Sequence, residues 1–190
     1  MDEKHVRIII GVGLLVVAGG LLLLVQKPAP ETEVHVHADF KVFLDGVDYN
    51  FAQEKYMTSE AQVKSLRVHL HGMDGEIIHV HAKGVTLGEF FGSIGMQFNP
   101  NCFTLDSNER HCSDKIKTLK FFVNGAQNNM FENYEIRDLD RILVSFGSEN
   151  GEALQEQLNS VSDRACIFSE KCSERGTSPP ESCTINGCIA

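Results

Sequence analysis

The sequence lacks the short motifs of the common enzyme classes. It contains no Gly-x-Ser-x-Gly elbow, no phosphate-binding loop and no Gly-rich dinucleotide fingerprint. It also has no Cys-x-x-Cys pair, which a thiol oxidoreductase would need, and its cysteine spacings match no zinc knuckle. We therefore predict no catalytic residue, and the motifs leave the question of an enzyme open while favouring a protein without enzymatic activity.

Basic residues are few. There are 17 Lys and Arg against 26 Asp and Glu, a formal net charge of -9. Such a balance argues against a nucleic-acid surface and mildly favours attraction of cations. Solubility alone is the simpler explanation of the charge.

One long apolar run, Ile8–Val25, has 18 residues without a charge. As a helix it would be about 27 Å long, close to the hydrocarbon thickness of a bilayer. We expect a single-pass membrane anchor, and a cleaved signal peptide is the alternative. Lys4 and Arg7 before the run predict a cytoplasmic N-terminus and an extracytoplasmic body.

The remaining chain divides by composition. We expect a cytoplasmic stub and transmembrane anchor at 1–26, a Pro-containing stalk at 27–33, a histidine-rich α+β domain at 34–161 and a cysteine-rich irregular tail at 162–190. An even number of cysteines in a small extracytoplasmic domain predicts disulfides. We expect Cys102 to pair with Cys112, while the other four allow three pairings that the sequence leaves open: Cys166, Cys172, Cys183 and Cys188.

Alternating apolar and polar residues predict strands from Val34 onward, with a two-residue turn at Asp45-Gly46. A second hairpin spans Leu66–Ala82. We predict a loop at Met73–Gly75 with Gly75 in the left-handed region. This register keeps the apolar residues together and places His69 opposite His79, so that four imidazoles share one face.

Regular elements are also expected in the second half of the domain. Thr86 and Glu89 form a capping box that starts a short helix, and Gly95 is placed to end it. Further strands are predicted at 119–123 and 141–146, and a second helix at 148–161.

Histidine is where the chemistry concentrates. Six of the eight histidines form three His-x-His pairs, which place both imidazoles on one face of a strand: His35 and His37, His69 and His71, His79 and His81. We predict that they bind a transition metal, copper or zinc, since imidazole suits both ions. Solvated strand histidines and a pH-sensing cluster are the alternatives. Candidate additional ligands or supporting groups are the carboxylates of Asp39, Asp74 and Glu76.

Three resemblances accompany these patterns. The spacing of His79, His81 and His69 resembles the zinc ligands of carbonic anhydrase, although only the spacing is shared. The order of elements over 85–147 resembles the β-grasp domains of ubiquitin and the sulfur carriers, without their terminal Gly-Gly. The His-x-His-Ala-Asp-Phe and Asp-Leu-Asp-Arg-Ile-Leu segments resemble those of membrane-anchored, histidine-rich prokaryotic surface proteins, a likeness that implies no activity. The expected fold class is thus α+β, a transmembrane helix followed by a β-grasp-like domain and a cysteine-rich tail.

These patterns lead to one preferred function and two alternatives. The preferred function is a membrane-anchored extracytoplasmic domain that binds copper or zinc. One alternative is an interaction module whose sheet docks another surface protein. The other is a metal-dependent hydrolase or hydratase, for which the sequence names no substrate.

Overall fold

The computed structural model describes residues 34–179, together with the backbone of 182–184 and 187–189. The predicted anchor at Ile8–Val25 and the stalk at 27–33 lie outside the described residues. So do the side chains of Cys183 and Cys188, whose positions pair in a short hairpin.

A central sheet organises the described chain. Its strand order is β3-β4-β1-β10-β8-β9, with the short β2 paired to β1. The middle pair, β1 and β10, is parallel, and every other pair in this sheet is antiparallel. The strands are β1 Val36–Leu44, β2 Val47–Asp48, β3 Val68–His69, β4 Ile77–Val80, β5 Gln97–Phe98, β6 Cys102–Thr104, β7 Arg110–Cys112, β8 Thr118–Val123, β9 Ala126–Gln127, β10 Arg141–Gly147, β11 Ser182–Thr184 and β12 Gly187–Ile189.

Helices are few and short. The α-helices are α1 Leu87–Ser93, α2 Gly151–Ser160 and α3 Ala165–Phe168, and single 3₁₀ turns lie at Glu54–Tyr56, Phe131–Asn133 and Ser173–Arg175. Thr86 caps α1 as predicted, because its Oγ1 accepts a hydrogen bond from the Glu89 amide at 3.2 Å. The Glu89 carboxylate does not return to Thr86 but binds Arg67 Nε at 2.7 Å.

The predicted fold class is wrong. The described residues form a mixed α/β structure of sheets with few helices, and none of their helices is long and apolar enough to cross a membrane. The longest α-helix, α2, has 10 residues, which is about 15 Å against a hydrocarbon core of about 30 Å. The membrane anchor therefore has no support in the described part of the chain.

The main core lies on one face of the sheet. Alternate residues of β1, Ala38, Phe40 and Val42, are buried there against α1 and a cluster of aromatic rings. The opposite face carries a smaller apolar cluster that contains Phe43 and Leu143 and that α2 covers. The histidines of β1 belong to this second face, because residue positions alternate between the two sides of a strand.

Both predicted hairpin turns are present, and the second differs in its left-handed residues. Asp45 and Gly46 both have positive φ, as a two-residue hairpin turn requires. In the histidine hairpin the left-handed residues are Gly72 and Met73, not Gly75. The predicted register is nevertheless confirmed, since His69 lies opposite His79 and Val68 opposite Val80.

Gly75 is needed for a different reason, a close approach of two backbones. A Cβ atom at this position would lie 2.3 Å from the Ala52 amide nitrogen and 2.6 Å from the Phe51 carbonyl carbon. Backbone atoms cannot yield as a flexible side chain can. The loop that joins β3 to β4 is thereby packed directly on the segment that follows β2.

We expect Gly75→Ala to lower the free energy of unfolding by about 2 kcal/mol or more, because the backbone must shift to admit the methyl group. Gly92→Ala is the matched control. Gly92 is exposed in α1 with no atom near its Cβ position, and alanine there should be neutral or stabilising by up to about 1 kcal/mol. Denaturant unfolding checks both variants, and a Gly75→Ala protein as stable as Gly92→Ala would contradict the close approach.

The first part of the cysteine-rich tail is anchored to the sheet through Asp39. This buried carboxylate accepts hydrogen bonds from the Arg164 amide at 2.8 Å and the Ala165 amide at 3.0 Å, and from the Ser162 hydroxyl. It therefore satisfies backbone groups at the start of α3. A disulfide between Cys166 and Cys172 closes the segment that follows. The predicted Cys102–Cys112 disulfide is also present, between β6 and β7.

Candidate metal centre

Three adjacent strands bring the His-x-His pairs together. In the order β3-β4-β1, His69 lies opposite His79 and His79 lies opposite His37. Neighbouring strands are about 4.8 Å apart, so in-register imidazoles on one face lie within contact distance. The other member of each pair, two residues away along the chain, lies just outside the strand and contacts the same group of rings.

The six imidazoles form a closed ring. The successive distances between ring centroids are 4.6 Å for His35–His37, 4.7 Å for His37–His79, 3.9 Å for His79–His71, 5.8 Å for His71–His69, 4.8 Å for His69–His81 and 4.7 Å for His81–His35. All six predicted site histidines therefore belong to one cluster. The seventh described histidine, His111, lies apart in β7, where its ring packs against Phe146.

Most of the cluster is buried. The exposed fraction is 1% for His37, 0% for His69 and His79, and 4% for His71, whereas His35 is exposed. Part of the cover comes from the tail, since the Phe168 ring lies 5.7 Å from His37 and 5.5 Å from His79. The alternative in which this face is simply solvated therefore does not hold for these four histidines.

Three of the histidines have the spacing of metal ligands. His35, His37 and His79 each offer a ring nitrogen, and the three atoms lie within 4.8 Å of one another. Nitrogen atoms around a tetrahedral zinc ion are about 3.3 Å apart, given Zn–N bonds of about 2.0–2.1 Å. Small side-chain rotations would close the difference. We call these three residues the histidine trio.

The trio differs from the set suggested by the carbonic anhydrase spacing, which was His69, His79 and His81. It instead joins His37 of β1 and the preceding His35 to His79 of β4. The reason is the long-range pairing of β1 with β4, which places His37 beside His79. Participation of His69, His71 and His81 as ligands stays a prediction.

A hydrogen-bonded chain fixes the orientation of His37. The Ser169 hydroxyl donates to Asp138 Oδ1 at 2.5 Å, so its oxygen is left to accept from His37 Nδ1–H at 2.8 Å. Asp138 Oδ1 also accepts from the His37 amide at 3.1 Å. The His37 proton is thus held on Nδ1, and Nε2 carries the lone pair that a metal needs.

Asp138 stays ionised in this arrangement. Burial raises the pKa of Asp138, but hydrogen bonds from Lys171 and Ser169 outweigh that effect and hold the pKa below its usual value. A carboxylate at the end of the chain makes the hydroxyl a one-way donor. It also increases the electron density that the His37 ring can give to a cation.

His71 and Ser65 orient two further rings. His71 Nε2 lies 3.1 Å from His79 Nδ1, so one proton is shared between them, and coordination through His79 Nε2 requires His79 to be the donor. His69 Nδ1 lies 3.0 Å from the Ser65 carbonyl oxygen. Because a carbonyl only accepts, His69 carries its proton on Nδ1.

The three candidate carboxylates lie elsewhere. Asp39 is occupied by the start of α3, as described above. Asp74 and Glu76 lie in the hairpin loop and form ion pairs with Arg164, at 2.9 Å and 3.4 Å. The carboxylate that does support a trio histidine, Asp138, was not among them.

Sequence reasoning missed the tail contribution to the centre. Phe168, Ser169 and Asp138 have no periodic pattern that would link them to a histidine strand. In the sequence, the Asp-Leu-Asp segment at 138–140 carries only a resemblance and no sign of contact with a histidine. The Asp39 carboxylate was the one available signal, because a buried acid needs partners and the tail supplies them.

A comparison of the chain with models of protein families, with curated proteins and with solved structures finds no match.

Proposed function

We propose that this domain binds one transition-metal ion, copper or zinc, through His35, His37 and His79. The observation that carries the proposal is the convergence of three ring nitrogens within 4.8 Å on adjacent strands. Two of the three ligands are buried, so an ion would be largely shielded from competing water on their side. Buried imidazoles that are already held in place lose less conformational freedom when they coordinate.

The supporting groups fit such an ion. Metal-bound histidines usually donate their second ring N–H to a carboxylate, a carbonyl or another polar group. His37 does so through Ser169 to Asp138, and His79 has His71 in the corresponding place. Three imidazole ligands suit zinc and copper, and copper binds more tightly on intrinsic affinity.

A role in capturing or passing on the ion follows from the incomplete ligand set. Three protein ligands leave a coordination position for an exchangeable group, whereas structural zinc sites have four protein ligands. We further propose an extracytoplasmic location, which the two disulfides support because such bonds persist in oxidising compartments.

The experiment is a titration of the purified full chain with zinc and with copper, followed by metal analysis after dialysis. We expect one ion per chain with submicromolar affinity. Binding no tighter than about millimolar, a free energy of only about 4 kcal/mol, would contradict the proposal. It would favour the alternative in which the sheet docks another protein.

The supporting chain makes its own prediction. We expect Ser169→Ala to weaken zinc binding about tenfold, because His37 loses the partner that holds its proton on Nδ1. Ser169→Thr keeps the hydroxyl and should restore most of the affinity. A structural role alone would lower the stability of Ser169→Ala without changing affinity, so denaturant unfolding of the metal-free variants separates the two effects.

A further inference from the structure

A cavity of about 620 Å³ adjoins the histidine trio. Two of its lining residues are the trio members His35 and His37, and the rest come from the tail: Phe168, Ser169, Glu170, Thr177, Ser178 and Pro179. It is open to solvent, and its volume is within the range of small-molecule sites.

The trio lies between this cavity and the protein interior. His35 and His37 are at the cavity wall, while His79 is fully buried and does not line it. The Phe168 ring lies edge-on to His79 and closes that side. An ion held by the trio would therefore lie at the wall of the cavity, within reach of a small molecule that enters it.

The lining indicates which ligand would enter. It offers hydroxyl groups from Ser169, Thr177 and Ser178 and a carboxylate from Glu170, and none of the described lining residues is cationic. The divalent ion itself would attract an anion, but the lining adds only the opposing charge of Glu170 and no second cation. A small uncharged molecule with a nitrogen or oxygen donor can use the hydroxyl groups and is not opposed by Glu170.

We propose that the cavity is the binding site of a small, uncharged donor ligand that completes the coordination of the ion held by the trio. This inference rests on the proposed function, since it requires the metal. It goes further in making the tail a wall of the ligand site and in naming the class of ligand. The centre is then one that presents its ion to a small molecule.

The test uses the full chain loaded with Co²⁺, whose visible absorption reports its coordination, and imidazole as the neutral probe. We expect imidazole to change the Co²⁺ spectrum saturably. Ser178→Trp should weaken imidazole binding at least tenfold by filling the cavity while leaving Co²⁺ affinity within about twofold. Ser148→Trp, at an exposed position away from the cavity, is the matched control. It should bind Co²⁺ and imidazole with the affinities of the unaltered chain.

The charge argument has a separate arm with azide as the anionic probe. Azide should bind more weakly than imidazole, and Glu170→Gln should strengthen azide binding at least twofold while imidazole binding stays unchanged. Azide binding that is insensitive to Glu170→Gln would overturn the assigned ligand class.

The two proposals fail in different ways. A chain that binds Co²⁺ but shows no response to imidazole, or an equal response in Ser178→Trp, overturns the cavity inference and leaves metal binding standing. A chain that does not bind Co²⁺, zinc or copper overturns the proposed function and the inference with it.

Discussion

Replacing His79 with alanine is expected to lower the affinity of the chain for zinc or copper by more than about 100-fold. His79 is the buried member of the trio and contributes one of three ligand nitrogens. Loss of a group that only supports a ligand typically costs 10- to 100-fold, and loss of the ligand itself should cost more. His37→Ala should behave in the same way, as competition titrations against a chelator of known affinity would show.

Two histidine controls sharpen this result. His111→Ala removes the histidine of β7, outside the cluster, and should leave affinity unchanged. His69→Ala removes the in-register neighbour of His79 on β3 and should have a smaller effect than His79→Ala if the trio alone holds the ion. Equal affinities for His79→Ala and His111→Ala would contradict the site.

Metal affinity should fall steeply as pH decreases from 7 to 5. Coordination needs the neutral imidazole, so protons compete with the ion below the histidine pKa. With an ordinary value of about 6.5, each ligand histidine would weaken binding about 25-fold over this range. Because neighbouring imidazoles repel one another when charged, their titrations are spread, and we expect a total loss between about 10²- and 10⁴-fold.

The sign of this effect is fixed by linkage. Protons are taken up when the ion leaves, so binding at pH 6 should release more than one proton per ion. Calorimetry in buffers of different ionisation enthalpy measures that number, and circular dichroism at pH 5 controls for unfolding. An affinity that is constant from pH 7 to pH 5 in a folded chain would exclude histidine ligands.

The histidine hairpin could be predicted from sequence because its information is local. Apolar residues alternate on both arms, and a slip of one residue would expose all of them, so the pairing of His69 with His79 follows. The residues that form the turn are harder to predict from sequence. Several loops satisfy the same register. In the structure Gly72 and Met73 have positive φ, while Gly75 packs against Ala52.

The histidine trio could not be predicted, because it depends on a distant strand pair. The sequence offers Val36–Leu44 a local partner beyond Asp45-Gly46, and part of that pairing is confirmed between Leu44 and Val47. No local pattern shows that the first half of the same strand edge pairs instead with Ile77–Val80. That pairing places His37 beside His79, and it requires closing a loop of more than thirty residues.

The sequence predicts a separate irregular tail because this segment has few apolar residues. In the structure a few specific contacts dock its first part. Phe168 covers the histidines, Asp39 binds the start of α3, and Arg164 pairs with Asp74. Composition measures the number of apolar residues but not where each one lies. The division of the chain into a domain at 34–161 and a tail at 162–190 stays a prediction.

The most direct measurement is an anomalous difference map at the zinc edge from crystals of the zinc-loaded full chain. The account predicts one peak, with ring nitrogens of His35, His37 and His79 about 2.0–2.1 Å away and the fourth position toward the cavity. A zinc ion bound by residues other than His37 and His79 would contradict it. So would the absence of a peak in crystals of chain incubated with excess zinc.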